Sequence, residues 1–210
     1  VIAVGTCALS GGVAQIRETH QARDTYLLSS HRLRLPDMLP RAFPIDRFVP
    51  VDLYLPGCPP TPQLFMTALK EGENAKIASI VCQECGRQKL QDMRPTSITG
   101  MRSGVTLPDI CLINQGYLCV GTSTRGGCGA LCTRPGHACV GCRGPANPYL
   151  NKEPKFVLDN LRRVFTRMTD IPEEEINEAL ESPWLSLFLD QFTDYTQDES
   201  LPLRTKEKMI

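Results

Sequence analysis

Cysteine is the residue type best able to do chemistry in this chain. The sequence has 210 residues and 10 cysteines, and most of the cysteines fall between Cys82 and Cys142. Within that segment the spacing is Cys82-x2-Cys85, then Cys111-x7-Cys119-x8-Cys128-x3-Cys132-x6-Cys139-x2-Cys142. These thiols make two sets of four, the number that binds a zinc ion or a cubane iron–sulfur cluster.

Disulfides, zinc and iron–sulfur clusters are the alternatives for this cysteine-rich segment. Disulfide scaffolds are typical of small secreted domains, and no signal peptide is visible. The two Cys-x2-Cys pairs could form a ribbon-like zinc site. The four cysteines between these pairs have x7, x8 and x3 spacings that resemble no common zinc module. The spacing therefore favours iron–sulfur clusters and leaves zinc as the rival.

Glycine dominates the end of the cysteine-rich segment. Between Gly116 and Gly144 glycines are frequent, and few residues there would form a regular helix or a hydrophobic core. We expect ligation of a metal group to organise this backbone, because the free energy of ligation then becomes free energy of folding.

Two further cysteines follow predicted strands. Val1–Val4 is predicted to be a short buried strand that runs into a turn at Cys7, and Val49–Tyr54 is predicted to be a second strand, ending before Cys58. Open α/β sheets bind ligands at the carboxyl ends of their strands, so these two thiols could share one site. Two unrelated buried cysteines are the alternative. Since the chain opens on a strand without a methionine, we expect that preceding sequence is missing.

Helical patterns lie on both sides of the cysteine-rich segment. Thr61 is a suitable N-cap and Pro62 a suitable first residue for a helix whose apolar stripe is Leu64, Phe65, Ala68 and Leu69. A helical turn is also predicted over Val13–Arg17, followed by an irregular excursion over 18–48.

Three helices are predicted after Pro145. The first covers Lys155–Met168, the second opens at Pro172 with Asp170 as its N-cap, and the third starts at Ser182 and is apolar nearly all round. We expect these helices, over about 150–195, to pack on the cysteine-rich domain or to dock on a partner.

Charge and hydropathy exclude several function classes. Lys and Arg total 23, Asp and Glu total 23, and the pI is near 6.9, so nucleic acid and anionic membranes are not expected as main partners. The apolar runs fall far short of the roughly 20 residues that cross a bilayer. We find no Ser-His-Asp arrangement, carboxylate pair or phosphate loop, and therefore predict no catalytic residue in this chain.

The cysteine motifs resemble those of a known family. The sequences CLINQGYLCVGTSTRGGCGALC at 111–132 and CVGCRGP at 139–145 resemble the small subunit of cytosolic nickel–iron hydrogenases. GTCA at 5–8 and LPGCPP at 55–60 fit the same family and its relatives in respiratory complex I. Those relatives carry only the proximal cluster. The second cysteine block therefore favours the group 3 hydrogenases, such as the gamma subunits of methyl-viologen-reducing or deazaflavin-reducing enzymes and the delta subunits of sulfhydrogenases.

This resemblance, which covers about residues 1–146, implies three [4Fe–4S] clusters. Two ligands of a proximal cluster would be Cys7 and Cys58, with the remaining ligands not in this chain. The distal cluster would be held by Cys82, Cys85, Cys111 and Cys119. The medial cluster would be held by Cys128, Cys132, Cys139 and Cys142, and the fourth cysteine implies [4Fe–4S] rather than [3Fe–4S].

The resemblance also implies a domain organisation of the α/β class. Residues 1–80 would be the C-terminal part of a flavodoxin-like, parallel-sheet domain. Residues 81–146 would be a loop-rich iron–sulfur domain with two clusters, and residues 147–210 a helical extension with a polar tail.

The function implied by the resemblance is electron relay in a cytoplasmic enzyme. Electrons would pass from the nickel–iron centre of a partner large subunit, through the clusters, to a further flavin or iron–sulfur subunit. Nicotinamide, deazaflavin and heterodisulfide reductase acceptors all remain open. The alternatives are an iron–sulfur subunit of a hydrogenase-like complex without hydrogen activity, and a zinc-stabilised scaffold.

Five other polar residues have two interpretations each. His20, His31 and His137 are isolated, so we expect surface or locally hydrogen-bonded histidines, although His137 lies where it could tune a cluster. Arg125 and Arg143 stand among the glycines. They are either solvated or offset the charge of a cluster or of a partner's carboxylates.

Overall fold

The computed structural model describes residues 1–12, 42–100, 106–149, 153–181 and 185. Several predictions fall outside these ranges. They are the helical turn at Val13–Arg17, most of the excursion over 18–48, the third C-terminal helix except Leu185, and the two histidines His20 and His31.

The described ranges contain two strands and five α-helices in the following order: β1 Ile2–Val4, α1 Thr6–Ser10, β2 Leu53–Leu55, α2 Pro62–Glu71, α3 Val81–Cys85, α4 Pro154–Met168 and α5 Glu173–Leu180. Short 3-10 turns occupy Ile45–Arg47, Gly72–Asn74, Ile113–Gln115 and Asn147–Tyr149. None of the helices in the described ranges is long and apolar enough to span a bilayer.

The two strands form a small parallel sheet. Its register places Ile2 opposite Leu53 and Val4 opposite Leu55. Helices follow both strands, so the fold is mixed α/β. The second strand starts later than the predicted Val49.

Burial of the first strand differs from the prediction. Ala3 is buried, whereas Ile2 and Val4 are 37% and 42% exposed. Helix α2 packs on Leu53 and Leu55 of the neighbouring strand, in a cluster of buried residues that includes none from β1. The first strand is therefore only half buried within the described part of the chain.

Cys7 lies in helix α1, and the predicted turn is confined to Gly5. Gly5 has φ +86, a conformation that glycine adopts at little cost. Its N–H donates to Leu55 O over 2.8 Å, which continues the pairing of the two strands. The chain consequently changes from strand to helix within one residue.

Helix α2 begins as predicted. Thr61 is the N-cap, and its Oγ1 accepts a hydrogen bond from Leu64 N–H over 3.2 Å. The predicted apolar stripe is only half right, because Leu64 is buried while Phe65 and Leu69 are 37% and 53% exposed. A helix that packs on a two-stranded sheet buries a narrow face, and the rest of its apolar residues face outward.

The C-terminal helices pack on the cysteine-rich domain. Val157, Leu161 and Phe165 of α4 and Ile176 and Leu180 of α5 are buried in one apolar cluster with residues of the cysteine-rich segment. This packing is the first of the two arrangements that the sequence predicts for this extension.

The predicted N-cap of α5 is wrong. Pro172 occupies the N-cap position, without a side-chain cap. Asp170 instead accepts a hydrogen bond from Arg94 Nε over 2.7 Å. This contact joins parts of the chain far apart in sequence, which is why local pattern does not reveal it.

The prediction that the glycine-rich stretch has little hydrophobic core is also wrong. Leu118, Val120, Ala130 and Ala138 are buried, and they belong to the cluster that α4 and α5 complete. Small apolar residues between glycines therefore form a core once the C-terminal helices cover them.

Candidate metal centre

Cys7 and Cys58 lie at one edge of the sheet, because each follows the carboxyl end of one of the two parallel strands. The start of α1 is hydrogen-bonded to the loop after β2: Thr6 N–H donates to Gly57 O over 2.8 Å, and Gly57 N–H donates to Thr6 Oγ1 over 3.2 Å. Both cysteines are exposed, and the peptide bond between Cys58 and Pro59 is cis. Two exposed thiols therefore stand on adjoining segments, Cys7 in the first turn of α1 and Cys58 in the loop.

The first predicted set of four thiols occupies one neighbourhood. The charges of Cys85, Cys111 and Cys119 all act on Cys82. Helix α3 carries Cys82 and Cys85, and Cys111 N–H donates to Gln88 O over 2.7 Å, which ties the next cysteine loop to the chain just after α3. Burial raises the pKa of Cys82 to about 12 and that of Cys119 to about 11, with smaller upward contributions from neighbouring thiols.

The second set lies around Cys142. Burial raises the pKa of Cys142, and the charges of Cys128, Cys132 and Cys58 act in the same direction. Cys139 is fully buried, and burial also raises its pKa, followed by the effects of Cys119 and Cys142. Cys132, in contrast to Cys139, is exposed to solvent. Cys128, Cys132 and Cys142 of the second set therefore lie near one another, and Cys139 lies near Cys142 and near Cys119 of the first set.

Backbone N–H groups connect the sets through sulfur. Cys139 N–H donates to Cys119 Sγ over 3.3 Å in a buried contact between the first and second sets. A backbone N–H of Cys58 donates to Cys142, which lowers the pKa of that thiol against the effect of burial. In addition, Thr6 Oγ1 donates to Cys142 O over 2.5 Å. Each neighbouring pair of cysteine groups is therefore in direct contact.

Arg125 and Arg143 are not solvated. They are 5% and 1% exposed, and burial lowers the pKa of each to about 10. The neighbours that favour the charged form of Arg143 include Cys128, Cys142 and Glu84. Of the interpretations open from sequence, this arrangement favours compensation of negative charge.

Two site residues were missed from the sequence. Glu84 lies in α3 between two cysteines, and its Oε2 accepts Gly127 N–H over 2.9 Å and lies 3.9 Å from Cys128 Sγ. Arg87 donates to four carbonyls in two different cysteine loops. The only signal for either residue is its position beside Cys85, which does not reveal these distant partners.

His137 is a surface histidine, as the first of its two interpretations predicts. Its side chain is exposed, and its backbone N–H donates to Cys132 O over 2.9 Å. Its structural contribution is therefore to the turn that carries Cys132.

The donor chemistry fits a thiolate-ligated metal group. Within the described ranges, no three Cys, His, Asp or Glu side chains converge on the position of a single metal ion. Backbone N–H groups reach several of the sulfur atoms, among them those of Gly121 on Cys119, Ala130 on Cys128 and Gly141 on Cys139. Amide donors of this kind and buried cations are the groups by which proteins tune iron–sulfur clusters.

Comparison with known proteins finds a matching family model and similar hydrogenase subunits. Residues 1–71 match the family described as the 20 Kd subunit of NADH ubiquinone oxidoreductase. The chain is also 36% identical, over 166 residues, to a vhu subunit of the F420-non-reducing hydrogenase of Methanocaldococcus jannaschii, a match that covers 72% of this chain and 57% of the relative. Over about three quarters of its length the chain is thus similar to a subunit of a hydrogenase.

A similarity to a sulfhydrogenase subunit covers more of the chain. Sulfhydrogenase 2 subunit delta of Pyrococcus furiosus is 29% identical over 184 residues, with 86% of this chain and 65% of the relative covered. The corresponding vhu subunit of Methanococcus voltae is 36% identical over 169 residues, covering 72% of this chain and 58% of the relative. The chain therefore spans somewhat more than half the length of these relatives.

Proposed function

We propose that this chain is an electron-relay small subunit of a nickel–iron hydrogenase. Its partners would be a large subunit with the nickel–iron centre and a further flavin or iron–sulfur subunit that accepts the electrons. The proposal is supported by thiols that act on one another electrostatically, those of Cys85, Cys111 and Cys119 on Cys82 and those of Cys128, Cys132 and Cys58 on Cys142. It is supported as well by the similarity of the chain to hydrogenase subunits.

Two complete ligand sets belong to the proposal. The first consists of Cys82, Cys85, Cys111 and Cys119, and the second of Cys128, Cys132, Cys139 and Cys142. Cys7 and Cys58 would supply two ligands to a third group. A bound [4Fe–4S] cluster supplies one-electron chemistry in each position.

The residues of this chain hold and tune the proposed ligand sets. Their thiols must lose protons to bind metal, against burial that favours the neutral thiol at Cys82 and Cys119. N–H donors on sulfur favour the charged form, as Cys139 N–H does toward Cys119. The contacts of Cys58 with Cys142 and of Cys139 with Cys119 support an order of exchange from the sheet edge through the second set to the first.

The experiment is metal and acid-labile sulfide analysis of the anaerobically purified native complex, with a visible spectrum and a nickel assay. We expect about eight iron and eight sulfide per chain from two sets of four cysteines, or about twelve with a third group, and a nickel-bearing partner. Hydrogen should bleach the visible absorption. Zinc without sulfide would overturn the proposal in favour of a scaffold.

A cysteine variant separates the remaining outcomes. Cys128→Ser should change the spectrum of one cluster and slow dye reduction by hydrogen. Thr166→Ser, at an exposed position of α4, should change neither. Full cluster content with an unchanged rate in Cys128→Ser would contradict the proposal. If the complex contains no nickel and hydrogen does not reduce its clusters, the chain is instead an iron–sulfur subunit without hydrogen activity. The match of residues 1–71 to the family of the 20 Kd subunit of NADH ubiquinone oxidoreductase is consistent with that alternative.

A further inference from the structure

Two buried arginines lie near one another, and one of them, Arg143, packs beside the segment of Cys128. Arg143 is 1% exposed, and Arg125, which is 5% exposed, lies close enough for Arg143 to lower its pKa. Placing two guanidinium groups together away from water costs free energy unless negative charge is nearby. The region therefore has the charge distribution of a site for an anionic group.

Arg143 is held in a defined position. Its Nη1 donates to Pro56 O over 2.5 Å, which fixes the guanidinium against the loop that carries Cys58. On its other side, a Cβ atom added at Gly127 would lie 3.1 Å from Arg143 Nη2, so the glycine backbone packs closely on the guanidinium. Arg143 thus stands between the loop of Cys58 and the segment of Cys128.

Glu84 approaches the sulfur of Cys128 with the opposite charge. Its Oε2 lies 3.9 Å from Cys128 Sγ and is held there by Gly127 N–H at 2.9 Å. Arg143 approaches the same segment from elsewhere, since its Nη2 packs against Gly127, the residue before Cys128. Side chains of opposite charge therefore both lie beside the Cys128 segment.

We propose that Arg143 and Glu84 form an opposed charge pair that sets the reduction potential of the iron–sulfur cluster held by Cys128, Cys132, Cys139 and Cys142. This inference rests on the proposed function. One-electron reduction adds a negative charge to the cluster, which a fixed cation stabilises and a fixed anion destabilises. Arg143 raises the potential and Glu84 lowers it.

The pair also has a place in the relay. Arg143 is bonded to the Cys58 loop, while Glu84 extends from α3, which carries two cysteines of the first set. The cation therefore lies toward one neighbouring group and the anion toward the other.

The test is a redox titration followed by electron paramagnetic resonance on the anaerobically purified complex, with mediator dyes and dithionite as the electron source. The signal of this cluster is identified by its change in Cys132→Ser. Arg143→Gln should shift its midpoint potential down and Glu84→Gln should shift it up, while Arg143→Lys, which keeps the charge, should lie near wild type. Arg163→Gln removes the same charge from an exposed site of α4 and should leave the potential unchanged.

Opposite shifts in the two glutamine variants support the charge pair, because a purely structural effect would not reverse sign with the charge removed. Unchanged potentials, or shifts in the same direction, would overturn it. If Arg143→Gln does not bind the cluster, Glu84→Gln and Arg143→Lys decide in the same way. A wild-type complex without any iron–sulfur signal would contradict the proposed function itself, which is a different outcome.

Discussion

At the scale of single residues, Arg87 links two cysteine loops. Its guanidinium donates to Ile110 O over 2.8 Å, next to Cys111, and to Thr133 O over 2.6 Å, next to Cys132. Further bonds reach Leu107 O and Arg134 O. A planar, five-donor group can serve several carbonyls at once, which the ammonium of lysine cannot do in the same geometry.

We predict that Arg87→Ala lowers the free energy of unfolding by about 1.5–3 kcal/mol, the range for hydrogen bonds that involve a charged group. Arg87→Lys should be destabilised as well, because it loses the fork of donors. Thermal unfolding of the purified complex and its iron content measure the effect. Lys76→Ala, at an exposed position, is the control, and equal melting temperatures for Arg87→Ala and this control would contradict the prediction.

At the scale of elements, the C-terminal end of α4 is held by hydrogen bonds from Arg94. Arg94 donates to Arg167 O and Thr169 O over 2.7 and 2.6 Å, and these carbonyls lie at the end of the helix. Arg94 also pairs with Asp170, where both side chains are partly exposed. Because exposed ion pairs contribute little to stability, the hydrogen bonds to the two carbonyls stabilise this helix end more than the ion pair does.

We therefore predict unequal effects from the two sides of this ion pair. Asp170→Asn should change stability by about 0–1 kcal/mol, as for other exposed pairs. Arg94→Ala should cost about 1.5–3 kcal/mol, since it also leaves helix-terminal carbonyls without their charged donor. Denaturant unfolding of both variants tests this, and a cost for Asp170→Asn as large as that of Arg94→Ala would show that the ion pair dominates instead.

The sequence correctly predicts those elements that depend on interactions between residues close together in the chain. The cap at Thr61 and the helix predicted over Lys155–Met168 depend on residues within one or two turns, and the structure has both. The exposure of Phe65 and the partner of Asp170 depend on distant neighbours, and both were missed. For the same reason cysteine spacing indicated thiol groups, but not the buried Arg143, whose hydrogen-bond acceptor lies far away along the chain.

At the scale of the whole molecule, one apolar cluster joins the cysteine-rich domain to the C-terminal helices. Phe165 and Leu161 of α4 are completely buried in it, together with Val120 and Ile113 from the cysteine-rich segment. Loops rich in glycine have little apolar area of their own to bury. The helices therefore complete the hydrophobic core of the domain that holds the thiols.

We predict that Phe165→Ala costs about 3–5 kcal/mol, the range for truncating a buried phenylalanine, and lowers cluster content in the same variant. Phe156→Ala is the matched control, because Phe156 lies in the same helix and is 46% exposed. Unfolding should be followed by helix content and by visible absorption of the clusters. Two separate transitions would contradict a shared core.

The hydroxyl of Thr6 has a consequence for the order in which the molecule is assembled. It receives Gly57 N–H and donates to Cys142 O, so it joins three segments that are far apart along the chain. The entropic cost of closing a loop grows with the length of chain enclosed. The cysteines from Cys128 to Cys142 lie in one short stretch and are the least costly to gather, whereas the junction at Thr6 encloses most of the chain. Short-range thiol loops can thus form first, and the long loops that bring the sheet edge onto Cys142 close last.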